Sequence, residues 1–299
     1  MAVESIPMTL VKNGVILGLG LVASMALMPN TVQCATIRDD VPDSNYLDLA
    51  AQAAYASVGL FVNSWGYTGC GTLIAPDWVL TAAHMLDAAT SGTFTINGNS
   101  YASTEILKNP GWTGSSYNGS DFGLVHLGSP VAGVTPATIY TGSAEMGQVG
   151  TYVGYGYTGT GLTGWTTLDG QKRAFQNVID GDLGAAYLIL VSDFDNPHST
   201  ADNGFGSATP LPLEGCVAPG DSGGGVFITV NSQTYLAGVI SFSANADGTA
   251  NSDYGDLSGF GRVSTFAPWI SATVPEPSPF ALLAGAGVAL GFGFNFRKR

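Results

Sequence analysis

Pro219-Gly220-Asp221-Ser222-Gly223-Gly224-Gly225, with the apolar run Val226-Phe227-Ile228-Thr229-Val230 directly after it, decides how the rest of the chain is read. The run has the β-branched and aromatic content of a strand. The glycines before it let the backbone take φ > 0 and come close to a neighbour. Such a loop can hold the Ser222 hydroxyl exposed. It can also aim the N–H groups of Gly220 and Ser222 at one point, where an oxyanion would develop. A serine alone is a poor nucleophile and needs a base. Glycine is abundant, with 42 of 299 residues, so the stretch also reads as an ordinary turn until a histidine and an acid are found to serve it.

Short apolar segments separated by turn residues lie on both sides of this loop. Upstream they are Val58–Val62, Cys70–Ile74, Trp78–Leu80, Thr93–Ile96, Thr104–Leu107 and Phe122–Leu127. A second set comprises Gly150–Gly154, Ala186–Val191, Val226–Val230 and Tyr235–Phe242, with the poorly patterned Gly128–Gly147 as linker. Strands at this spacing argue for an all-β barrel or sandwich. A short helix is expected near Tyr46–Tyr55 and a closing one over Thr265–Thr273.

Charged residues make up only 10% of the chain, which suits a turn-rich extracellular β protein. The net charge of −13, with nine Lys plus Arg, argues against nucleic acid as a partner, because phosphates need a basic face. Three cysteines are too few for a disulfide scaffold.

The termini have their own chemistry. Residues 1–35 read as a secretory signal, with Lys12 as the basic part and Val15–Met28 as the apolar part. Cleavage after Cys34 or Ala35 leaves Cys70 and Cys216 as the only pair. At the other end, Val274-Pro275-Glu276-Pro277-Ser278-Pro279 breaks any regular element. Phe280–Phe296 is uncharged, of membrane-spanning length, and Arg297-Lys298-Arg299 stops it.

Three segments stand in one order: Thr81-Ala82-Ala83-His84, then Ser120-Asp121-Phe122-Gly123-Leu124-Val125-His126-Leu127, then Gly220-Asp221-Ser222-Gly223-Gly224. Together they resemble the trypsin/chymotrypsin family of serine peptidases over roughly residues 55–272. The resemblance implies two antiparallel Greek-key β-barrels, about 55–130 and 148–272, within a peptidase domain spanning 36–274. It implies Ser222 as nucleophile, His84 as general base and acid, Asp121 as the carboxylate holding His84, and the Gly220 and Ser222 N–H groups as oxyanion hole. The remaining histidines read differently: His126 as a half-buried structural residue, His198 as a loop residue with no evident partner. Asp77 and Asp87 are the rivals to Asp121. No metal or organic cofactor is required.

The sequence also departs from the family. Met85 and Ala218 stand where cysteines are usual, which leaves a Cys70–Cys216 bond open. No basic-Ile-Val-Gly-Gly activation site exists, so the partner of Asp221 is unassigned, with Ile37-Arg38-Asp39-Asp40 as a substitute terminus. The resemblance places Cys216 at the base of the specificity pocket. Ser241-Phe242-Ser243 becomes the substrate-pairing strand, and Ser258 stands on the far wall. This predicts small or medium uncharged side chains, with Asp253 and Asp256 as nearby acids that would instead attract a basic one. Asp193, Asp195, Asn196, Asp202 and Asn203 are oxygen donors of the kind calcium uses, but their spacing fits no defined motif and reads as a solvated turn.

The tail at 275–299 resembles a bacterial PEP-CTERM sorting segment. That implies a Gram-negative exported protein, signal peptidase and an exosortase-type processing enzyme as partners, and transient membrane contact. The expectation is an exported serine endopeptidase acting on protein or peptide substrates. The alternative is a catalytically silent homologue serving as a surface binding module.

Overall fold

The computed structural model describes residues 35–183, 188–245, 248–249 and 251–275. The expected leader through Cys34 and the tail from residue 276 lie outside the described residues. Among the described residues no helix is long and apolar enough to cross a membrane.

A short β1 (Thr36–Ile37) and α1 (Asp43–Ala50) lead in. The first barrel follows: β2 (Val58–Asn63), β3 (Thr68–Ala75), β4 (Trp78–Thr81), β5 (Gly92–Ile96), β6 (Asn99–Lys108) and β7 (Gly123–Leu127). These strands close in the order β2-β3-β4-β7-β6-β5. The inward residues Phe61, Leu73, Val79, Phe94 and Val125 are all fully buried. Closure removes every sheet edge, and six short strands leave an interior that side chains fill.

The second half contains β8 (Val149–Gly154), β9 (Thr158–Thr160), β10 (Gly164–Thr167), β11 (Arg173–Val178), β12 (Gly181–Leu183), β13 (Ile189–Asp193), β14 (Gly215–Cys216), β15 (Gly225–Val230), β16 (Gln233–Ala244) and β17 (Leu257–Arg262). Seven of them form one sheet, β11-β8-β15-β16-β17-β13-β12. This corrects the expectation of a second closed barrel. The edge strands β11 and β12 are joined by only Ile179 and Asp180, yet no ladder links them. The seam is occupied instead. Asn177 Nδ2 donates to the carbonyls of Asp193 (2.6 Å) and Gly215 (3.3 Å), and Gln176 bridges to Glu214. On the β11 edge the Gln176 N–H, which a ladder would have used, donates instead to Leu213 O.

A smaller sheet, β10-β9-β1-β14, ties the lead-in to this half, with Thr36 opposite Cys216 and Ile37 opposite Gly215. Helix α2 (Val263–Thr273) begins two residues before the expected start and accommodates Pro268. Residues 128–147 contain no strand, only the isolated bridge of Ile139 to Leu236. The two halves share one core: Tyr55 packs edge-on to Phe227 at 5.4 Å, and Phe122 lies 4.3 Å from Phe266 of α2.

Candidate active site

The first barrel supplies a histidine and an acid from neighbouring strand ends. His84 lies in the turn after β4, and Asp121 just before β7, which pairs with β4. His84 Nδ1 stands 2.7 Å from Asp121 Oδ2, and the His84 main-chain N–H donates to Asp121 Oδ1 at 2.8 Å. The Ser241 hydroxyl donates to Oδ2 at 2.5 Å. Burial opposes the charge on Asp121, but the hydrogen bonds from His84 and Ser241 outweigh it and hold the carboxyl below its usual range. A carboxylate fixed on Nδ1 leaves Nε2 as the imidazole's free acceptor, and 28% of the His84 side chain is exposed.

The rivals to this pair are engaged elsewhere. Asp77 lies 3.4 Å from His126 Nε2, and the His126 ring stacks on Trp78. Asp87 accepts from Lys108 at 2.7 Å and from Trp112. His198, expected to lack a partner, sits 3.0 Å from Asp39. The partner was invisible because 159 residues separate them.

The serine loop is set against the first barrel. Ser222 O accepts from the Cys70 N–H at 2.7 Å, and the Cys70 thiol donates to Gly220 O at 3.2 Å. Gly223 has φ +84°, and a Cβ there would lie 2.2 Å from both Cys70 O and Thr81 Oγ1. Only glycine permits that approach. Inside the loop, Gly224 N–H donates to Asp221 O and Gly223 N–H to Ile240 O. Among the described residues the N–H groups of Gly220 and Ser222 have no acceptor.

The fully buried Asp221 organises the loop's underside. Its carboxylate accepts from Ala218 N (2.9 Å), Gly156 N (2.9 Å) and Ala35 N (3.1 Å). The lead-in residue that reaches Asp221 is therefore Ala35, through its main-chain N–H, whereas Ile37 is held in β1 opposite Gly215. Ala35 lies at φ +63°, a strained value for a residue with a Cβ.

Beside the serine is a cavity of about 70 Å³ lined by Val217, Ala218, Pro219, Ser222 and Ile240–Ser243. Ser243 borders it directly. Two residues expected in its wall lie behind it. Cys216 is fully buried, and Ser258 donates to its sulfur at 3.4 Å while accepting from Val217 N. Ser241 lines the cavity, but its hydroxyl is committed to Asp121. Phe242 leans on Tyr117, with ring centroids 4.6 Å apart. Asp256 is buried and receives the Ser252 N–H, so it faces loop backbone. Cys70 and Cys216 are both free and buried, so the open disulfide does not form. Their thiols are held protonated by burial first and by the Asp221 charge among the lesser causes.

Residues 50–270 match the family model described as Trypsin. The chain belongs to the trypsin family and is a serine endopeptidase, a hydrolase. It is 28% identical over 229 residues to brachyurin of Leptuca pugilator, covering 71% of this chain and 89% of that protein. It is 27% identical over 230 residues to chymotrypsin-like elastase family member 1 of Bos taurus, covering 71% and 80%. The Rattus norvegicus protein of the same name is also 27% identical.

Proposed function

We propose that this enzyme hydrolyses peptide bonds through Ser222, His84 and Asp121, with an acyl-enzyme intermediate. Ser222 Oγ attacks the scissile carbonyl carbon as His84 Nε2 takes its proton. The carbonyl oxygen, now negative, is received by the Gly220 and Ser222 N–H groups. His84 then gives the proton to the leaving amine, and water repeats the sequence to release the acid. Asp121 keeps the Nδ1–H tautomer and balances the imidazolium charge. The observation that carries this reading is the double grip of Asp121 on His84, through Nδ1 and through its main-chain N–H.

Small or medium uncharged residues are the proposed preference. An apolar void of about 150 Å³ takes up benzene. The cavity here is about half that and has no acid at its lining. Elastase in the names of two matched relatives supports the same choice.

Activation follows from Ala35. Cleavage after Cys34 would turn the Ala35 N–H into an ammonium 3.1 Å from Asp221. It would also abolish the strained φ, since a terminal residue has no preceding carbonyl. We propose export as the setting, with signal peptidase making this cut. The exosortase-type sorting of the tail remains a proposal from the sequence of 275–299.

A fluorophosphonate probe tests the chemistry. Labelling should occur at Ser222, vanish in Ser222→Ala and weaken at least a hundredfold in His84→Ala. A folded chain beginning at Ala35 that takes no label would overturn the reading in favour of the silent binding module.

A further inference from the structure

Buried acceptors fasten the loops of the second half from beneath. Asp193 and Asp195, expected in a solvated turn, are 1% and 4% exposed, and Asp193 Oδ2 receives the Gly204 and Phe205 N–H groups. Asp221 does the same within the Ser222 loop, through the Ala218 N–H. The Ser222 loop has a second fastening, from the first barrel, to which the reaction described above gives no role. Cys70, on β3, is free and fully buried. Every polar group it has is engaged around that loop. Its N–H donates to Ser222 O at 2.7 Å and its thiol to Gly220 O at 3.2 Å. Its sulfur accepts the Tyr155 N–H at 3.2 Å, and its carbonyl accepts the Thr81 hydroxyl at 2.7 Å.

An oxyanion hole stabilises charge only if its N–H groups already point at the place where that charge develops. The direction of the Gly220 N–H is set by the two peptide planes that meet at its α-carbon. Glycine at φ +94° has no side chain to hold either plane. Partners outside the loop hold both. Pro219 O accepts from the Tyr157 N–H at 2.7 Å. In a planar trans peptide the N–H points opposite to the carbonyl, so this bond turns the Gly220 N–H away from residues 155–157. The next plane carries Gly220 O, which the Cys70 thiol bonds, and the Asp221 N–H, which donates to Ala218 O at 3.1 Å. The successive N–H groups of Tyr155, Gly156 and Tyr157 thus end on Cys70 Sγ, Asp221 Oδ1 and Pro219 O. Burial first, and the Asp221 charge after it, hold the thiol above its usual range, so the proton that it donates stays on sulfur at neutral pH.

We propose that Cys70 is a positioning residue for the peptidase reaction, its thiol linking the Tyr155 N–H to Gly220 O and so holding the Gly220 N–H in the direction that receives the oxyanion. The inference rests on the Ser222, His84 and Asp121 reading and adds to it a residue of the first barrel. A fully buried thiol meets no substrate. Its effect therefore falls on the transition state, where the carbonyl oxygen carries charge, and on kcat rather than KM.

The test uses the protein in the form that takes the fluorophosphonate probe at Ser222. It is assayed on a peptide anilide and titrated with a peptide trifluoromethyl ketone, whose adduct with the serine carries an oxyanion. Cys70→Ala should lower kcat about three- to tenfold, the worth of one hydrogen bond to a neutral carbonyl, with KM nearly unchanged. Affinity for the trifluoromethyl ketone should fall by the same factor as kcat. Cys70→Ser, which keeps a donor and an acceptor, should recover most of both losses. If Cys70→Ala fails to fold, Cys70→Val, which fills the volume without a polar atom, is read in its place. An unchanged kcat in the folded variant would overturn the proposal. So would a loss that Cys70→Ser does not recover, since packing rather than the hydrogen bond would then be at work. A parent protein that never labels at Ser222 would overturn the catalytic reading itself, and this one with it.

Discussion

Ser241 shows how far one side chain's role departs from its place in the sequence. It sits at the head of the strand segment that should pair with substrate, yet its hydroxyl bonds a carboxylate 120 residues away. A hydrogen bond to an ionised acceptor contributes about 1.5–3 kcal/mol, and here it fixes Asp121 rather than substrate. Ser241→Ala should lower kcat about tenfold and leave KM nearly unchanged. A rise in KM alone, in steady-state assays on a peptide anilide, would put the hydroxyl in the substrate site instead. The same commitment to partners distant in sequence explains Cys216 and Ser258. Their positions were legible by resemblance, but each satisfies the other behind the cavity wall.

Two elements at the start of the chain carry predictions of their own. Strand β1 delivers Ala35 to Asp221, so a chain beginning at Ala35 should take up the fluorophosphonate probe fully. One beginning at Ile37 lacks the donor and should react at least tenfold more slowly. Equal rates would remove Ala35 from activation. Helix α1 is fastened by Arg173, 2% exposed, whose guanidinium bonds Asp43 at 2.6 and 2.7 Å and Asp169 at 3.0 and 2.9 Å. Both carboxylates are about a third or more exposed, so solvent screening discounts the pair. Arg173→Met should cost about 2 kcal/mol, or about 4–8 °C in Tm by thermal melting. Burial works against the Asp169 charge, but the Arg173 hydrogen bonds prevail and hold its carboxyl below the usual range. That contribution is therefore complete above about pH 4, the unfolded carboxylate range, and is lost as pH falls through the lowered folded value. Acid unfolding should be correspondingly shallower in Arg173→Met.

For the whole molecule, one apolar cluster spans the barrel and the open sheet, and among the described residues no disulfide braces it. Cys70 and Cys216 are sealed inside, with thiols held protonated by burial. Reducing agent should leave Tm unchanged. Ellman's reagent should find both thiols only after unfolding, and two fast-reacting thiols in the native protein would contradict the burial.

Much of the architecture was legible because it follows local rules. Short apolar runs marked β2 to β8, β13, β15 and β16, and turn residues separated them. Three short motifs in order named the family. What escaped were elements with no local signal. β9, β10, β12 and β14 are two to four residues long and are strands only because a partner pairs with them, and the six-residue β11 and β17 escaped as well. The second barrel's open seam likewise depends on where Asn177 and β14 cross it. The sequence by itself determined the strand pattern, the family and the residues able to do its chemistry, since these reside in side-chain type and spacing. Only the tertiary structure decided that Asp121 and Ser241 share a proton-bearing contact, that Ala35 reaches Asp221, and that Asp193 and Asp195 lose water. Hydrogen bonds and burial join residues by position in space, and separations of 120 to 186 residues leave no local trace.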